Sequence, residues 1–397
     1  MKKNFIKKCN YIGILIQIIL ILFANVNAQE SPEKEKGLID VSGFFDSAHH
    51  WRDITDDSQV FLALPGQKDY KPVQVKEIAD NILLYQQKNG GWPKNYDMLA
   101  ILTNEQKAIL KKGRDSLHTS FDNGATYSQV EYLAKAYDRI KDERYKDACL
   151  KGIDFILEAQ YPNGGWPQFY PDTSGYRKYI TFNDDAMTGI MNVLHKIVQN
   201  NPVYSFVDSG RREKVNKAFN KGIDSILKCQ IVENGKLTVW CQQHDNIDFH
   251  PQGARTFELP SKCGEESTGI TLLLMSIEYP DKKIINSVEG AVNWFKYSEI
   301  HGIKVERVKA PKVVFKYRTS VTDKKVISDP SAPPIWARFY TLKGNKPFFT
   351  DRNSVPVDSL SKVGRERRDG YTWYTYEPQK VLDEYPKWIE KIKKFKD

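Results

Sequence analysis

One short segment recurs in the chain, and its recurrence limits the folds open to it. Residues 89–95 read NGGWPKN and residues 163–169 read NGGWPQF. Each follows a stretch whose apolar side chains fall on one helix face. Val75, Ile78, Ala79, Ile82 and Leu83 sit at i, i+3, i+4, i+7 and i+8, and Cys149, Ile153, Ile156 and Leu157 repeat the stripe. Val215, Ala218, Phe219, Gly222, Ile223, Ile226 and Leu227 give a third stripe without the NGGW. The stripes end in ILLYQ (82–86), ILEAQ (156–160) and ILKCQ (226–230), with a weaker copy, WFKYS, at 294–298. Successive copies lie 74, 70 and 68 residues apart. Asn-Gly-Gly reads as a helix stop, because glycine takes positive φ at little steric cost. The Trp is expected to seal the helix end.

A second helical series lies between these. Val130, Leu133, Ala134 and Tyr137 make one stripe, Met187, Ile190, Met191 and Leu194 the next, and Ile270, Leu273, Leu274 and Ile277 the third. The chain therefore alternates helix, loop, helix. Repeated hairpins of this kind bury their apolar faces only by stacking. With about three and a half hairpins and long loops, the pattern predicts a mainly α fold over residues 71–397, a closed or nearly closed α/α toroid. A small β excursion is expected at about 303–335, where KVERVK and VVFKYRTSV read as strands and Pro330, Pro333 and Pro334 stop them. Residues 29–70 are expected to be an irregular N-terminal lead-in.

The first 28 residues combine a basic MKKNFIKK, the apolar run YIGILIQIILILF and Val26-Asn27-Ala28 ahead of Gln29. This is the pattern of a secretory signal peptide, 1–28, with an uncleaved N-terminal anchor as the alternative. A secreted or periplasmic protein, free of the membrane after cleavage and monomeric, is expected. The net charge of +9 falls to +5 without Lys2, Lys3, Lys7 and Lys8. Outside the cell that surplus suits an acidic polysaccharide better than nucleic acid. Cys149, Cys229, Cys241 and Cys263 show no CxxC spacing. A Cys229–Cys241 disulfide and buried free thiols both remain open.

The loops ahead of the second-series helices read SFDNGAT (120–126), TFNDDAMTG (181–189) and TFELPSKCGEES (256–267). Each has Ser or Thr, then Phe, then an acid or amide, at the same phase of the repeat. Stacked hairpins would bring Asp122, Asn123, Asn183, Asp184, Asp185 and Glu258 to one rim. A single Asp or Asn there reads as a helix N-cap, but this number exceeds what capping needs. Clustered carboxylates repel one another unless a cation joins them, and hard oxygen ligands suit Ca2+. The sequence has no HExxH, EF-hand or P-loop spacing. Arginines are the second theme: Arg255 three residues before Glu258, Arg338 among Trp336, Phe339 and Tyr340, Arg352, and Arg365, Arg367 and Arg368. A guanidinium in an apolar neighbourhood suits a carboxylate partner. Acids for calcium and arginines for carboxylates together describe a site for an acidic sugar polymer.

NGGWPKN, FDNGAT, NGGWPQFYP, TFNDDAMTGIM, WCQQHD, ARTFELPS, GEESTGI, PPIWARFY and GYTWY resemble, in that order, the family 10 pectate lyases, from about Trp51 to Trp388. The resemblance implies a secreted, calcium-dependent enzyme on an incomplete (α/α)3 toroid with a smaller β-rich region. It implies cleavage of α-1,4-polygalacturonate by β-elimination, with the C5 proton removed and an unsaturated end left behind. Carried over by motif, Arg255 is the expected base, Asp122 and either Asp184 or Asp185 the calcium carboxylates, and Asn123, Arg338 and Arg352 the contacts to substrate carboxylates. Glu258, on the same rim, is expected to bind substrate. An arginine base is ordinarily charged; neighbouring cations are expected to push Arg255 toward its neutral form. The competing readings are an inverting glycoside hydrolase on the same toroid and a non-catalytic pectin-binding protein.

Overall fold

A computed structural model describes residues 38–54 and 59–394, so the expected leader at 1–28 lies outside the described residues. The lead-in is not irregular throughout, because Phe45–Asp53 form helix α1. Its buried side is marked only by Phe44, Ser47 and Trp51, too sparse a stripe to read as periodic. Helices α2 (Val75–Tyr85), α3 (Asn104–Lys112), α4 (Tyr127–Ile140), α5 (Glu143–Glu158), α6 (Ala186–Val198), α7 (Ser209–Cys229), α8 (Gly264–Ser276), α9 (Lys282–Tyr297), α10 (Arg365–Gly370) and α11 (Pro378–Lys394) follow. The fold is mainly α, and the unit that holds these elements runs from Ile39 to Asp397.

The two sequence series become two layers. In the first, α2 touches α5, α5 touches α7 and α7 touches α9. In the second, α4 touches α6, α6 touches α8 and α8 touches α11. Hairpin partners α4–α5, α6–α7 and α8–α9 join the layers. The predicted stripes fill the space between: Ile78, Ile82, Val130, Leu133, Ile153, Ile156, Met187, Ile190, Ile226, Ile270 and Leu274 are all inaccessible to solvent.

Each repeated letter has a repeated task. The Gln86 amide donates to Gly90 O in its own loop (2.9 Å) and to Ala148 O on α5 (2.8 Å). Gln160 does the same with Gly164 O (3.0 Å) and Ala218 O on α7 (2.8 Å). Gln230 reaches Thr238 O (2.8 Å) and Ser287 O on α9 (2.9 Å). One glutamine amide, buried at Gln86 and Gln230 and half-buried at Gln160, thus ties each first-layer helix to the next. The Trp rings close the helix ends as expected: Trp92, Trp166 and Trp240 donate Nε1–H at 2.8 Å to Ile82 O, Ile156 O and Ile226 O. Trp336 donates to Phe295 O at 2.9 Å. These carbonyls lie in the last turn of each helix, where Ile82 O and Phe295 O also accept the backbone N–H of Gln86 (3.2 Å) and Ser298 (3.1 Å), so the indole adds a second donor there. Gly90 and Gly164 have φ of +95° and +97°, and a Cβ there would lie 2.4 and 2.0 Å from the carbonyl oxygens of Lys151 and Lys221. Only glycine satisfies both demands.

The expected strands form one long hairpin, β1 (Ile303–Val314) and β2 (Thr319–Ser328), paired from Ile303↔Ser328 to Val314↔Thr319 with a bulge between Lys309 and Val313. Two-residue pairings anchor the last third of the chain: Phe339–Tyr340 on Lys262–Cys263, and Trp336–Ala337 on Tyr374–Thr375. Cys149, Cys229, Cys241 and Cys263 are buried free thiols, so Cys229 and Cys241 are not bridged. Among the described residues no helix is long and apolar enough to cross a membrane.

Candidate active site

Backbone pairing between the Trp segments and the helix entrances builds the site. The carbonyls of Trp92, Trp166 and Trp240 accept from the amides of Ser120 (3.0 Å), Thr181 (3.1 Å) and Cys263 (2.8 Å). Two residues beyond a Trp, the carbonyls of Gln168, Gln242 and Arg338 accept from Phe121 (3.0 Å), Phe182 (2.8 Å) and Gly264 (3.0 Å). Every entrance is therefore clasped between one Trp segment and the next. This register makes Asp122, Asn183 and Glu265 equivalent, followed by Asn123, Asp184 and Glu266. Glu258 was expected at that phase. It belongs instead to a longer excursion of the third loop, where Thr256-Phe257-Glu258 imitates the pattern and GEES occupies its place.

The side chains two residues beyond each Trp explain why the segment recurs. Lys94 Nζ meets Asp122 Oδ2 at 2.6 Å, and Gln168 Nε2 meets Asp122 Oδ1 at 2.9 Å. Gln242 Nε2 lies 2.8 Å from both Asn183 Oδ1 and Glu266 Oε1. Arg338 bonds the Glu266 carboxylate and donates to Asn183 Oδ1 at 3.0 Å. The repeat thus supplies a donor for each acidic entrance. Asn123 and Asp184 hold φ of 51° and 50°, a left-handed turn that Asn and Asp tolerate better than other side-chain-bearing residues.

These groups line one cleft of about 610 Å³, with nine Lys or Arg and five Asp or Glu in its walls. Asp122, Asn123, Asn183, Asp184, Arg255, Glu258, Arg338 and Arg352 all reach it. Asp185 is not among the lining residues; its carboxylate accepts from Thr188 Oγ1 at 2.9 Å at the start of α6. Sequence reasoning missed Asp46, His49 and His50, which α1 brings into the same wall, because the lead-in gave no helical signal. Ser47 Oγ fixes that helix to the site by donating to Asn123 O at 2.7 Å. Lys94, Gln168 and Gln242 were also missed, although each stands two residues beyond a Trp in the sequence, and so were Glu265 and Glu266, whose distance from the preceding Trp follows no such rule.

The two expected calcium carboxylates differ. Burial would raise the Asp122 carboxyl, but Lys94, Gln168 and Arg255 outweigh it and hold the group below its ordinary range. Asp184 is pushed well above the usual carboxylate range by burial and then by the charges of Asp122 and Asp46. It is a carboxylate short of positive charge. Beside them Gln168 Oε1 is buried without a hydrogen-bond partner among the described residues. Hard oxygens of this kind fit Ca2+. Among the described residues no three His, Cys, Asp or Glu groups close into a metal cage.

Arg255 is gripped from one side. Its backbone N–H and Nε donate to Glu258 Oε2 at 3.1 and 2.8 Å, and Nη2 donates to Oε1 at 2.5 Å. Tyr371 OH donates to the same carboxylate at 2.9 Å. Burial alone would lower the guanidinium's pKa, but Glu258 overrides it and holds Arg255 well above the ordinary value. The expectation that its surroundings favour the neutral form is thus reversed, because its nearest partner is an anion. Nη1 makes no hydrogen bond among the described residues, and the side chain is 42% exposed. Rings and guanidinium groups alternate from here. Arg338 lies 4.6 Å from the Tyr371 centroid, Arg255 5.9 Å from Tyr371 and 4.9 Å from Phe257, and Arg352 5.6 Å from Phe257 and 4.8 Å from Tyr317. Arg352 also pairs with Glu366 at 2.7 and 2.8 Å yet stays 40% exposed.

Over residues 86–382 the chain matches the family described as pectic acid lyase. No curated protein matches it. A family 10 polysaccharide lyase from Cellvibrio cellulosa is similar, with 30% identity and a TM-score of 0.67 over 79% of this chain and 92% of its own. A mutant of the family 10 enzyme from the same organism, in complex with trigalacturonic acid, gives a TM-score of 0.66 at the same identity and coverage. The interlocked entrances, the acid pair, the arginine row and these likenesses converge: the chain belongs to the pectic acid lyase family, as a family 10 polysaccharide lyase, and is a pectate lyase.

Proposed function

We propose that this chain is a secreted, calcium-dependent enzyme that cleaves α-1,4-polygalacturonate by β-elimination on an incomplete (α/α)3 toroid. Stacking within each helical layer favours the toroid, the pattern of residues 1–28 favours secretion, and trigalacturonic acid in the Cellvibrio complex favours the substrate. The observation that carries the reading is Arg255: Glu258 fixes it, Nη1 is left over, and Asp122 and Asp184 stand in the same cleft.

The reaction removes the proton on C5, alpha to a uronate carboxylate, and expels the oxygen on C4 to leave a C4=C5 double bond. A carboxylate activates that proton poorly, because its charge opposes the developing carbanion. Asp122 and Asp184 would hold calcium, with Asp184 rather than Asp185 as the second ligand; bound there, the ion neutralises uronate charge. Arg352 and Asn123 orient substrate carboxylates. Arg338 is already committed to Glu266 and Asn183, so it shapes this wall and meets the substrate only through its outer edge. Glu258 positions the Arg255 plane rather than contacting sugar. In its neutral form Arg255 takes the C5 proton on Nη1, and as guanidinium it then stabilises the product's charge. The direct test is mature protein with polygalacturonate, with and without a chelator. Ultraviolet absorbance of unsaturated uronate that rises only with calcium is expected; saturated products would identify a hydrolase and overturn the reading.

A further inference from the structure

The β1–β2 hairpin has no part in the chemistry above, yet it carries a large surplus of positive charge. Eight Lys or Arg stand against two Asp or Glu between Ile303 and Ser328. Arg307 is directly opposite Lys324 in the ladder, and like charges so placed destabilise a strand pair. Burial and then the charge of Arg307 pull the Lys324 ammonium down to about 8. The hairpin is nevertheless fixed. Buried Asp369 accepts from Arg318 Nη2 (3.0 Å), Ser320 Oγ (2.7 Å) and Thr322 Oγ1 (3.0 Å), and Arg368 grips Asp323 at 2.8 and 2.7 Å. Lys324 on β2, Arg307 on β1 and Arg318 at the turn all line the cleft. Tyr317, at the turn, ends the row of rings by lying against Arg352. Arg307 Nε lies 3.5 Å from Asp369 Oδ1 and Lys324 Nζ donates to Tyr371 O at 2.9 Å, but that one carboxylate is shared with Arg318, so the cleft wall keeps a surplus of positive charge that an outside anion would stabilise.

We propose that this hairpin is a second polyuronate subsite, beyond the sugars that react. Arg307 and Lys324 receive a uronate carboxylate and Tyr317 offers a ring face to the sugar, so the enzyme favours long, unesterified chains. The assignment rests on the proposed cleavage of polygalacturonate. The test is Arg307→Glu combined with Lys309→Glu. Both residues are exposed and two apart on β1, and Asp369 keeps Arg318, Ser320 and Thr322 as partners. Arg307→Gln serves as a milder second variant. Two measurements are made at low ionic strength: kcat/KM on polygalacturonate relative to trigalacturonate, and retardation in native gels cast with polygalacturonate. The polymer-to-trimer ratio is expected to fall about tenfold in the double variant, less in Arg307→Gln. Salt near 0.3 M should narrow the gap. A ratio within about twofold of the parent, or an equal fall on both substrates, overturns the subsite. The gel separates the two claims. If the parent is retarded but makes no unsaturated product and the variant runs free, the cleavage reading fails and the subsite stands. Unchanged retardation of the variant overturns the subsite whatever the activity.

Discussion

Replacing Arg255 by Lys and by Ala asks whether this residue moves a proton or only supplies charge. At pH 8.5 an ordinary arginine is neutral in about one molecule in ten thousand, a cost of about 5 kcal/mol. The bidentate Glu258 contact makes the neutral form scarcer still. A base of this kind therefore gains activity as pH rises, and log kcat should climb with a slope near one to at least about pH 10.5. A lysine would be neutral in about one molecule in a hundred at the same pH, but it cannot reproduce the two-point grip on Glu258. Misplacement at the reacting carbon is expected to cost about a hundredfold or more. The discriminating signal is the shape of the profile. Arg255→Lys should retain weak activity whose pH dependence bends near the lysine's own pKa, about 10. Arg255→Ala should lose turnover while polymer retardation in gels persists. An active Lys variant with a flat profile between pH 7 and 10 would show that only charge matters, and an Ala variant above about 1% of parent kcat would remove Arg255 from the chemistry.

Three further outcomes follow from the same contacts. Asp184 titrates above its unfolded value, so its stabilising contribution is complete below the unfolded value and is lost as pH rises through the folded one. At neutral pH, Asp184→Asn is expected to raise the Tm in chelator by about 2 °C and to abolish calcium's own Tm increase; a lower Tm in chelator would contradict this. Arg338→Ala strands the buried Glu266 carboxylate and should lower unfolding free energy by about 3–5 kcal/mol, read from denaturant midpoints, with a loss under about 1 kcal/mol counting against the pair. Gly164→Ala drives a Cβ to 2.0 Å from Lys221 O at positive φ and should cost about 2 kcal/mol or more; an unchanged midpoint would mean the loop relaxes freely.

Local order left clear marks in the sequence. Helical stripes, the ILxxQ endings and Gly90 and Gly164 were legible because each reflects periodicity or backbone sterics within a few residues. The acids and arginines of the site were legible as residue types, and their shared rim followed from the repeat. Tertiary structure decided how they divide the work. The clasp of each entrance between two Trp segments moved the third equivalent position from Glu258 to Glu265 and Glu266, which one more loop excursion had disguised. It turned Asp185 toward Thr188 and Asp184 into the cleft, although the two are adjacent. It gave Arg255 an anionic partner and made Arg338 a buried strut. Helix α1 entered the site from a segment without a readable stripe, because its anchor is a serine hydroxyl on a distant carbonyl. Spacing along a chain records which face a side chain takes; charge state and partner depend on which remote groups share that face, and only folding brings those together.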